Sequence, residues 1–264
     1  MPEKFASIKN LLSEFKPISL SQMDSVKLLQ RSEKKYILHS SKVASVLKKA
    51  IADYVVLEIC DQRLQEYSTE YFDTVDNAMY LAHHNGKPSR YKVRKREYVV
   101  SGEQFLEVKR RTTNGETHKK RVELNGNEGG NLNGEVFIQA VTPYKLEGLE
   151  KKLVNSFHRI TLVNTELKER VTIDMGLEFH NGIKTIQLPS VAIVEIKSES
   201  FEAVSGFEGI MKSLRIQPSS VSKYCIGRAL LEPKLKANLF QNKIRYLIKL
   251  NKVETEQISK ASNQ

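Results

Sequence analysis

Basic side chains recur at every second position in one short segment of the sequence. Residues 90–111 read RYKVRKREYVVSGEQFLEVKRR, in which Lys92, Arg94 and Arg96 alternate with other residues. Successive side chains of a β-strand point to opposite faces, so these three side chains share one face of a strand. Arginine offers paired donors to a phosphate group, and lysine offers a point charge. The pattern therefore indicates a sheet face that binds a phosphate-bearing anion.

Seven predicted strands, two of them within residues 90–111, show this alternation, with mostly apolar residues on the opposite face. Across all seven, the charged face carries Arg31, Glu33 and Lys35; Lys92, Arg94 and Arg96; Glu107 and Lys109; Lys119, Arg121 and Glu123; Arg159; Arg170 and Asp174; and Glu195 and Lys197. An antiparallel sheet with one solvated face would give a similar pattern. Helical segments at both ends of the chain favour another arrangement, because they need the apolar strand faces to pack against. The charged faces then turn inward, and the sheet closes into a barrel with an ionic lumen.

Carboxylates on the charged face predict a metal ion. Unpaired buried charge is costly, so a lumen rich in cations requires an anion or water. The side chains of Glu195, Glu33 and Glu107 would repel a phosphate unless a divalent cation lay between them. Carboxylate oxygens are ligands that Mg²⁺ and Mn²⁺ prefer. We therefore expect Glu195 to bind the metal, with Glu33 and Glu107 as further candidates.

The composition narrows the choice of partner and compartment. The net charge of +11 over 264 residues favours nucleic acid, a lipid surface or a phosphorylated small molecule. Apart from Tyr91 and Tyr98, the charged segments lack the interleaved aromatic residues that stack on bases, so no nucleic-acid partner is expected. No run of 18 apolar residues and no apolar leader occurs, and Cys60 and Cys225 lack metal-ligand spacing. These features predict a cytoplasmic protein.

The chain reads as one domain over residues 1–264, because it contains no internal repeat and no strong linker. Helices are predicted over 3–15, 40–54 and 143–155, and the Gly/Asn-rich segment 125–134 is predicted to be a flexible loop. A basic amphipathic helix is predicted over 234–250. Its apolar stripe caps the barrel in the favoured interpretation, and an anionic membrane surface is the alternative.

The ordered segments RSEKKY, YFDT, KVRKREY, LEVKRR, KKR, FHRITL, ERVTID, VEIK and SSVSKY resemble the polyphosphate polymerase (VTC-type) domain of the triphosphate tunnel metalloenzyme superfamily. The resemblance extends roughly from Arg31 to Arg228. It implies an α+β fold, in which an eight-stranded antiparallel β-barrel encloses a charged lumen and helices pack on the outside. It also implies transfer of the terminal phosphoryl group of ATP to a growing inorganic polyphosphate chain, with Mn²⁺ or Mg²⁺ as cofactor.

The resemblance also implies roles for individual residues. Arg94, Arg96, Lys109 and Lys223 are expected to be catalytic, and Glu195 of VEIK corresponds to the metal-binding glutamate of the family. The expected phosphate- and nucleotide-binding residues are Arg31, Lys35, Arg94, Arg96, Lys109, Lys119, Arg121, Arg159, Arg170 and Lys223.

Other functions remain open at this point, because relatives with the same tunnel catalyse different reactions. One alternative is an inorganic triphosphatase or another tunnel-type triphosphate hydrolase. The other is a non-catalytic module that binds polyphosphate or a similar polyanion. The expected partners are ATP and inorganic polyphosphate, with a peripheral membrane association or a membrane-protein partner as a further expectation.

Overall fold

The chain folds as an α+β protein around one large sheet. The computed structural model describes residues 5–24, 32–124, 130–166, 168–199 and 206–261. The strands are β1 (Pro17–Ile18), β2 (Ser32–His39), β3 (Val55–Leu57), β4 (Gln65–Thr74), β5 (Arg90–Tyr98), β6 (Gln104–Arg111), β7 (Thr117–Glu123), β8 (Leu149–Asn164), β9 (Glu169–His180), β10 (Thr185–Leu188) and β11 (Val191–Ser198). The helices are α1 (Ala6–Ser13), α2 (Leu20–Asp24), α3 (Val43–Ala50), α4 (Ala78–His84), α5 (Gly130–Val141), α6 (Gly206–Ser213), α7 (Lys223–Leu231) and α8 (Gln241–Ala261).

Eight strands form the main path of the sheet, in the order β2-β11-β9-β8-β4-β5-β6-β7. Every neighbouring pair along this path is antiparallel. The short strands β1, β3 and β10 attach beside it. The predicted antiparallel strands are therefore confirmed. No ladder joins β2 to β7 in the described residues, so the predicted hydrogen-bonded closure into a barrel is not seen.

The sheet nevertheless curls strongly. The Nζ atom of Lys109 on β6 lies 3.9 Å from Oε2 of Glu33 on β2, although these strands are six places apart in the sheet order. In a flat sheet with about 4.8 Å between strands, they would be about 29 Å apart. The face that carries both side chains is therefore concave.

Helices cover the convex face, because its strand residues are apolar. Tyr36, Ile173 and Val194 of the sheet form one core cluster with side chains of α1, α3 and α6. A second cluster joins Val93 and Leu106, on β5 and β6, to side chains of α4 and α5. The prediction that helices pack on the outside of the sheet therefore holds for these five helices.

Two helices pack elsewhere, on an apolar part of the concave face. Residues of α7 and α8 share a buried cluster with Leu153, Phe179 and other side chains of that face. Gly227 permits the close approach of α7, because a Cβ atom at this position would lie 2.5 Å from Cδ1 of Phe179 and 2.8 Å from Cδ2 of Leu153. The charged part of the concave face therefore occupies only one end of it.

A β-bulge sets which residues of β9 face inward. Gly176 has a φ of +61°, and the β8–β9 register shifts between Ser156 and His158. Glycine adopts positive φ without steric cost, whereas most other residues do not. Because of the extra residue, Asp174 and Leu177 both lie on the concave face despite their odd spacing.

Three local predictions are wrong. Residues 143–155 were expected to be helical, but β8 starts at Leu149, where tertiary pairing with β4 overrides the local pattern. The predicted loop 125–134 overlaps α5, which begins at Gly130 and buries Ile138 against the sheet; residues 125–129 lie outside the described part. The helix predicted over 234–250 begins at Gln241, after a turn in which the amide of Leu235 donates to the carbonyl of Glu232.

The C-terminal helix α8 buries Ile244 and Leu247 in the cluster that also contains α7. This packing agrees with the capping interpretation of the basic C-terminal segment. Among the described residues, no helix is both long enough and apolar enough to cross a membrane.

Candidate functional site

Three clusters of ion pairs lie on the charged part of the concave face in the described residues. In the first, Nζ of Lys35 lies 2.9 Å from Oε2 of Glu195 and also contacts Glu33, while Lys197 contacts the other oxygen of Glu195. The β2–β11 register creates this cluster, because it places Lys35 opposite Glu195 and Glu33 opposite Lys197. Burial alone would raise the pKa of Glu195, but Lys197 and Lys35 outweigh it and hold that pKa well below its ordinary value.

The second cluster surrounds Glu107, whose side chain is only 1% exposed. Nε of Arg94 donates to Oε2 of Glu107 at 2.7 Å, Lys119 contacts Oε1, and Nε of Arg96 lies 3.9 Å away. Burial opposes ionisation of Glu107, but these three cations lower its pKa to about 2. Glu107 therefore stays charged and orients Arg94, whereas the buried Nε atom of Arg96 has no hydrogen-bond partner among the described residues.

The third cluster joins the sheet to α7. Arg159 donates to both oxygens of Asp174, at 2.6 and 2.8 Å, and Lys223 also contacts Asp174. Lys223 is the first residue of α7, and the Ser222 side chain caps this helix by accepting from the amide of Cys225. Burial opposes ionisation of Asp174, but Arg159 and Lys223 lower its pKa to about 2.

Aromatic rings connect these clusters. The Tyr67 ring stacks on Phe157 with 5.3 Å between centroids, and the guanidinium groups of Arg159 and Arg96 lie 5.0 and 5.5 Å from its centroid. Nζ of Lys223 lies 4.5 Å from the Phe157 centroid. Cations over aromatic faces are stabilised without a counter-charge. The rings therefore help to hold three cations close together, two of which, Arg159 and Lys223, also pair with Asp174.

The pKa of Tyr71 reflects the positive electrostatic potential of this region. Its side chain is buried, which by itself would raise the pKa of the phenol. Arg94, Arg96, Lys223 and Lys92 outweigh burial and lower that pKa below its ordinary value. An anion that entered here would be stabilised by the same cations.

The structure places the remaining predicted residues on the same face. The guanidinium of Arg121 lies 4.4 Å from the Phe105 centroid, Arg170 lies opposite Lys197, and Lys109 approaches Glu33. Arg31 lies outside the described residues. The functional roles of all these side chains stay predictions.

Several residues that the structure brings into the site were not predicted from the sequence to be site residues. Asp174 and Lys197 were recognised only as members of a charged face, yet each contacts a predicted site residue. Nζ of Lys92 donates to Oγ of Ser222 at 2.9 Å, which links β5 to the start of α7. Lys92 lies two residues before Arg94 on the same strand face, and this spacing could have indicated that it belongs to the site. The aromatic residues Tyr67 and Phe157 gave no signal, because a buried ring on a strand is most often part of a core.

The donor set fits a divalent cation at one place. Glu33 and Glu195 both contact the ammonium of Lys35, so their oxygens converge on a single positive centre. Mg²⁺ is commonly held by one or two carboxylates, with water and substrate phosphates completing its coordination. Glu107 belongs to a separate cluster, and no group of three or more His, Cys, Asp or Glu side chains that could hold a metal occurs in the described part of the chain. Glu33 and Glu195 are therefore the residues that would hold a divalent cation.

Comparisons with known proteins identify the family. Residues 30–232 match the model of the VTC domain, and the chain belongs to this family, as the resemblance of its sequence predicted. No match is found among curated proteins. A solved structure from Hippeastrum, described as a candidate adenylyl cyclase with a dominant triphosphatase activity, shares the fold with a TM-score of 0.50 and 17% identity, over 76% of this chain and 97% of that chain.

Two further solved structures, both described as candidate adenylate cyclases, are similar to this chain. The one from Vibrio parahaemolyticus has a TM-score of 0.45 and 12% identity, over 74% of this chain and 95% of that chain. The one from Bacillus halodurans has a TM-score of 0.46 and 14% identity, over 72% of this chain and 92% of that chain. The family match confirms the predicted resemblance to the VTC-type domain, and the Hippeastrum structure shows that the fold is shared.

Two lysines of the site give a testable pH dependence. Burial lowers the pKa of both Lys197 and Lys119 to about 8. Glu195 raises the pKa of Lys197, and Glu107 raises that of Lys119, but neither carboxylate cancels the effect of burial. Both side chains lose their charge above pH 8, whereas the phosphates of a ligand are already ionised. We expect the affinity for tripolyphosphate to fall by about tenfold between pH 7 and about pH 9.5, which calorimetric titration can measure.

The stability of the free protein should change in the opposite direction. In the unfolded state both lysines keep their protons up to about pH 10.4, so the unfolded state binds more protons than the folded state between this value and pH 8. Their contribution to the free energy of unfolding therefore rises with pH in this window.

Lys197→Gln should weaken the pH dependence of binding. An affinity that stays constant up to pH 9.5 would show that these lysines do not contact the ligand.

Proposed function

We propose that the protein is a metal-dependent polyphosphate polymerase that transfers the terminal phosphoryl group of ATP to a growing polyphosphate chain. The observation that supports this most is the convergence of lysines and arginines from several strands and α7 on one concave face, where they outnumber the carboxylates. Membership of the VTC domain family supports the same substrate class. In this reaction a terminal phosphate oxygen of the chain attacks the γ-phosphorus, the bond to the β,γ-bridging oxygen breaks, and ADP leaves with that electron pair.

We also propose that the curled sheet closes into a tunnel around the substrate. The contact between Glu33 and Lys109 supports it, because it joins strands from opposite ends of the sheet order. In a closed tunnel the cations surround a phosphate chain on several sides and exclude bulk water. Electrostatic interactions are stronger in such an environment than at an open surface.

The chemistry requires alignment and charge compensation rather than covalent catalysis. Arg94 and Arg159 are held rigidly by Glu107 and Asp174, so their donors are oriented before the substrate arrives. Lys223 adds a cation at the first position of α7. A metal ion held by Glu195 and Glu33 would neutralise phosphate charge and act as a Lewis acid. The acceptor phosphate is already ionised, so no general base is required.

Hydrolysis of triphosphate is the second candidate. The Hippeastrum protein that shares this fold has a dominant triphosphatase activity, and tunnel proteins of different activity share the same architecture. Hydrolysis requires an attacking water, which a carboxylate would have to position. The described carboxylates of the charged clusters are each paired with lysine or arginine, which favours transfer to an ionised phosphate over activation of water.

A product gel after incubation with ATP and Mn²⁺ tests the proposal. A ladder of polyphosphate chains is expected for the polymerase. Release of orthophosphate from tripolyphosphate without a ladder would support the hydrolase instead. Tight polyphosphate binding without either product would support a non-catalytic module.

Ligand binding should also stabilise the fold. A ligand that binds only the native state at a hundredfold excess over Kd adds about 2.7 kcal/mol, which corresponds to a rise in Tm of about 5–10 °C for a chain of this size. We expect tripolyphosphate and longer chains to raise Tm more than orthophosphate at equal charge, because only a chain contacts several strands at once. Thermal melts with each anion measure this difference.

Single-stranded DNA at equal phosphate concentration is the control for these melts. Its sugars and bases do not fit a tunnel of phosphate width, so it should raise Tm much less. Equal protection by DNA and polyphosphate would show that the cations lie on an open surface, and the proposed tunnel would be wrong.

A further inference from the structure

The concave face extends beyond the three clusters into two rows of like charge. The β5–β6–β7 register places Lys92, Lys109 and Lys119 side by side on neighbouring strands, and the next row places Arg90 opposite Arg111. Like charges directly opposite each other across strands destabilise a sheet. A sheet that contains two such rows in succession would gain stability from an anion that bridges them.

The outer row, Arg90 and Arg111, has no carboxylate beside it, among the described residues, that would neutralise its charge. In the inner row, by contrast, Lys119 contacts Glu107 and Lys109 approaches Glu33. Arg90 donates to the carbonyl oxygen of Lys87 at 2.7 Å. Within the described residues, no carboxylate forms an ion pair with Arg90 or Arg111. These two guanidinium groups are therefore available to an external anion.

His83, at the C-terminal end of α4, faces these rows. Burial, followed by Lys92, Arg90, Lys109 and Arg111, lowers its pKa to about 3. Its Nδ1 atom is buried and has no hydrogen-bond partner among the described residues. The structure thus places a neutral imidazole with an unpartnered ring nitrogen among four cations, an environment in which a bound anion would be stabilised.

We propose that the two rows and His83 form a second anion-binding subsite, which takes the distal phosphates of a polyphosphate chain too long for the three central clusters. This inference rests on the proposed function, because it assigns the direction in which a long chain extends from the central site. A phosphate chain repeats its charge along its length, so it can contact the central clusters and Arg90 or Arg111 at the same time. Arg90 lies four residues from Arg94 along β5, about 14 Å at the rise of a β-strand, so a long chain reaches both more readily than triphosphate does.

The subsite couples chain length to proton uptake. A phosphate beside His83 offsets the repulsion from Lys92 and Arg90 on β5 and from Lys109 and Arg111 on β6. Cys225 of α7, which lies near Lys92 and Arg90, stays a neutral thiol because burial raises its pKa. The pKa of His83 therefore rises when a long chain binds, and the imidazole takes up a proton.

Calorimetric titration of the full chain with tripolyphosphate and with long-chain polyphosphate tests the subsite. The variant is Arg90→Gln combined with Arg111→Gln. The control is Lys145→Gln combined with Lys168→Gln, which removes the same charge from lysines whose side chains are 73% and 62% exposed elsewhere. We expect the test variant to weaken long-chain binding by about tenfold and to leave tripolyphosphate binding within about twofold. The control should change both affinities little and equally.

Other outcomes would overturn the inference. Unchanged long-chain binding would show that the outer row holds no phosphate. Equal losses for both ligands would show that the row acts only through the overall charge or belongs to the central site. Between pH 6 and 7, where Lys119 and Lys197 keep their charge, His83→Gln should reduce the fall in long-chain affinity relative to the wild type, and an unchanged fall would exclude proton uptake by His83.

The same preparations separate this inference from the proposed function. A ladder from wild-type protein, with no chain-length effect in the variant, would leave the polymerase intact and remove the subsite. Chain-length-dependent binding without a ladder would leave the subsite intact and remove the polymerase.

Discussion

Glu195→Gln should reduce metal-dependent turnover by at least about a hundredfold, while polyphosphate binding equals or exceeds that of the wild type. Glu195 is the carboxylate that converges with Glu33 on one positive centre, and the neutral amide is a much poorer ligand for a hard divalent cation. The substitution also leaves Lys35 and Lys197 without their shared counter-charge. Without this carboxylate the site repels phosphate less, so binding and turnover change in opposite directions.

A product ladder and calorimetric titration measure the two effects on the same protein. Glu70→Gln is the matched control, because it removes a glutamate that pairs with Lys151 away from the concave face. The control should keep both binding and turnover. Parallel losses of binding and turnover in a folded Glu195→Gln protein would show that this residue is structural and does not serve the metal.

Val93→Asp should unfold the domain. Val93 is a fully buried residue of β5 that faces the helices α4 and α5. It belongs to a core cluster that includes Leu106 and Ile138. An isolated carboxylate at such a position costs several kcal/mol, which is comparable with the whole free energy of unfolding of a typical domain. We expect loss of the cooperative thermal transition, followed by circular dichroism.

Val99→Asp is the control for this prediction, because Val99 lies just beyond the same strand and is 42% exposed. It should melt within a few degrees of the wild type, since exposed substitutions usually change stability by less than about 0.5 kcal/mol. A native melting temperature for Val93→Asp would contradict the assignment of this face to the protein core.

The alternation of charged and apolar residues was sufficient to predict the concave face of β5 and β6. The β5–β6 ladder contains no bulge, so Arg94, Arg96 and Glu107 could be assigned to one face without a structure, although Lys95 and Glu97 place charge on the opposite face of β5. The same rule could not assign Leu177 together with Asp174, because the bulge at Gly176 shifts the alternation by one residue. Lys223 lies on a helix, outside any strand pattern, and only the family resemblance indicated it.

Cross-strand register could not be predicted either. The sequence placed Lys35 and Glu195 on charged faces, but their ion pair depends on how β2 and β11 align. The start of β8 was predicted wrongly for a related reason. Its first residues alternate poorly in hydrophobicity, and their extended structure comes from pairing with β4 rather than from local preference.

The pairing of β2 with β11 has a consequence for how the protein is made. Lys35 and Glu195 are opposite partners although they are some 160 residues apart in the chain. Closing so long a loop is slow and entropically costly. On the ribosome, β2 is synthesised early and must wait with an unpaired edge until β11 and α7 have emerged. During this interval the cations of β5 to β7 have Glu107 and Glu33 as their counter-charges, and the cations outnumber them. We therefore expect a polyanion in the surrounding solution to act as a folding template, by neutralising the excess positive charge of these strands.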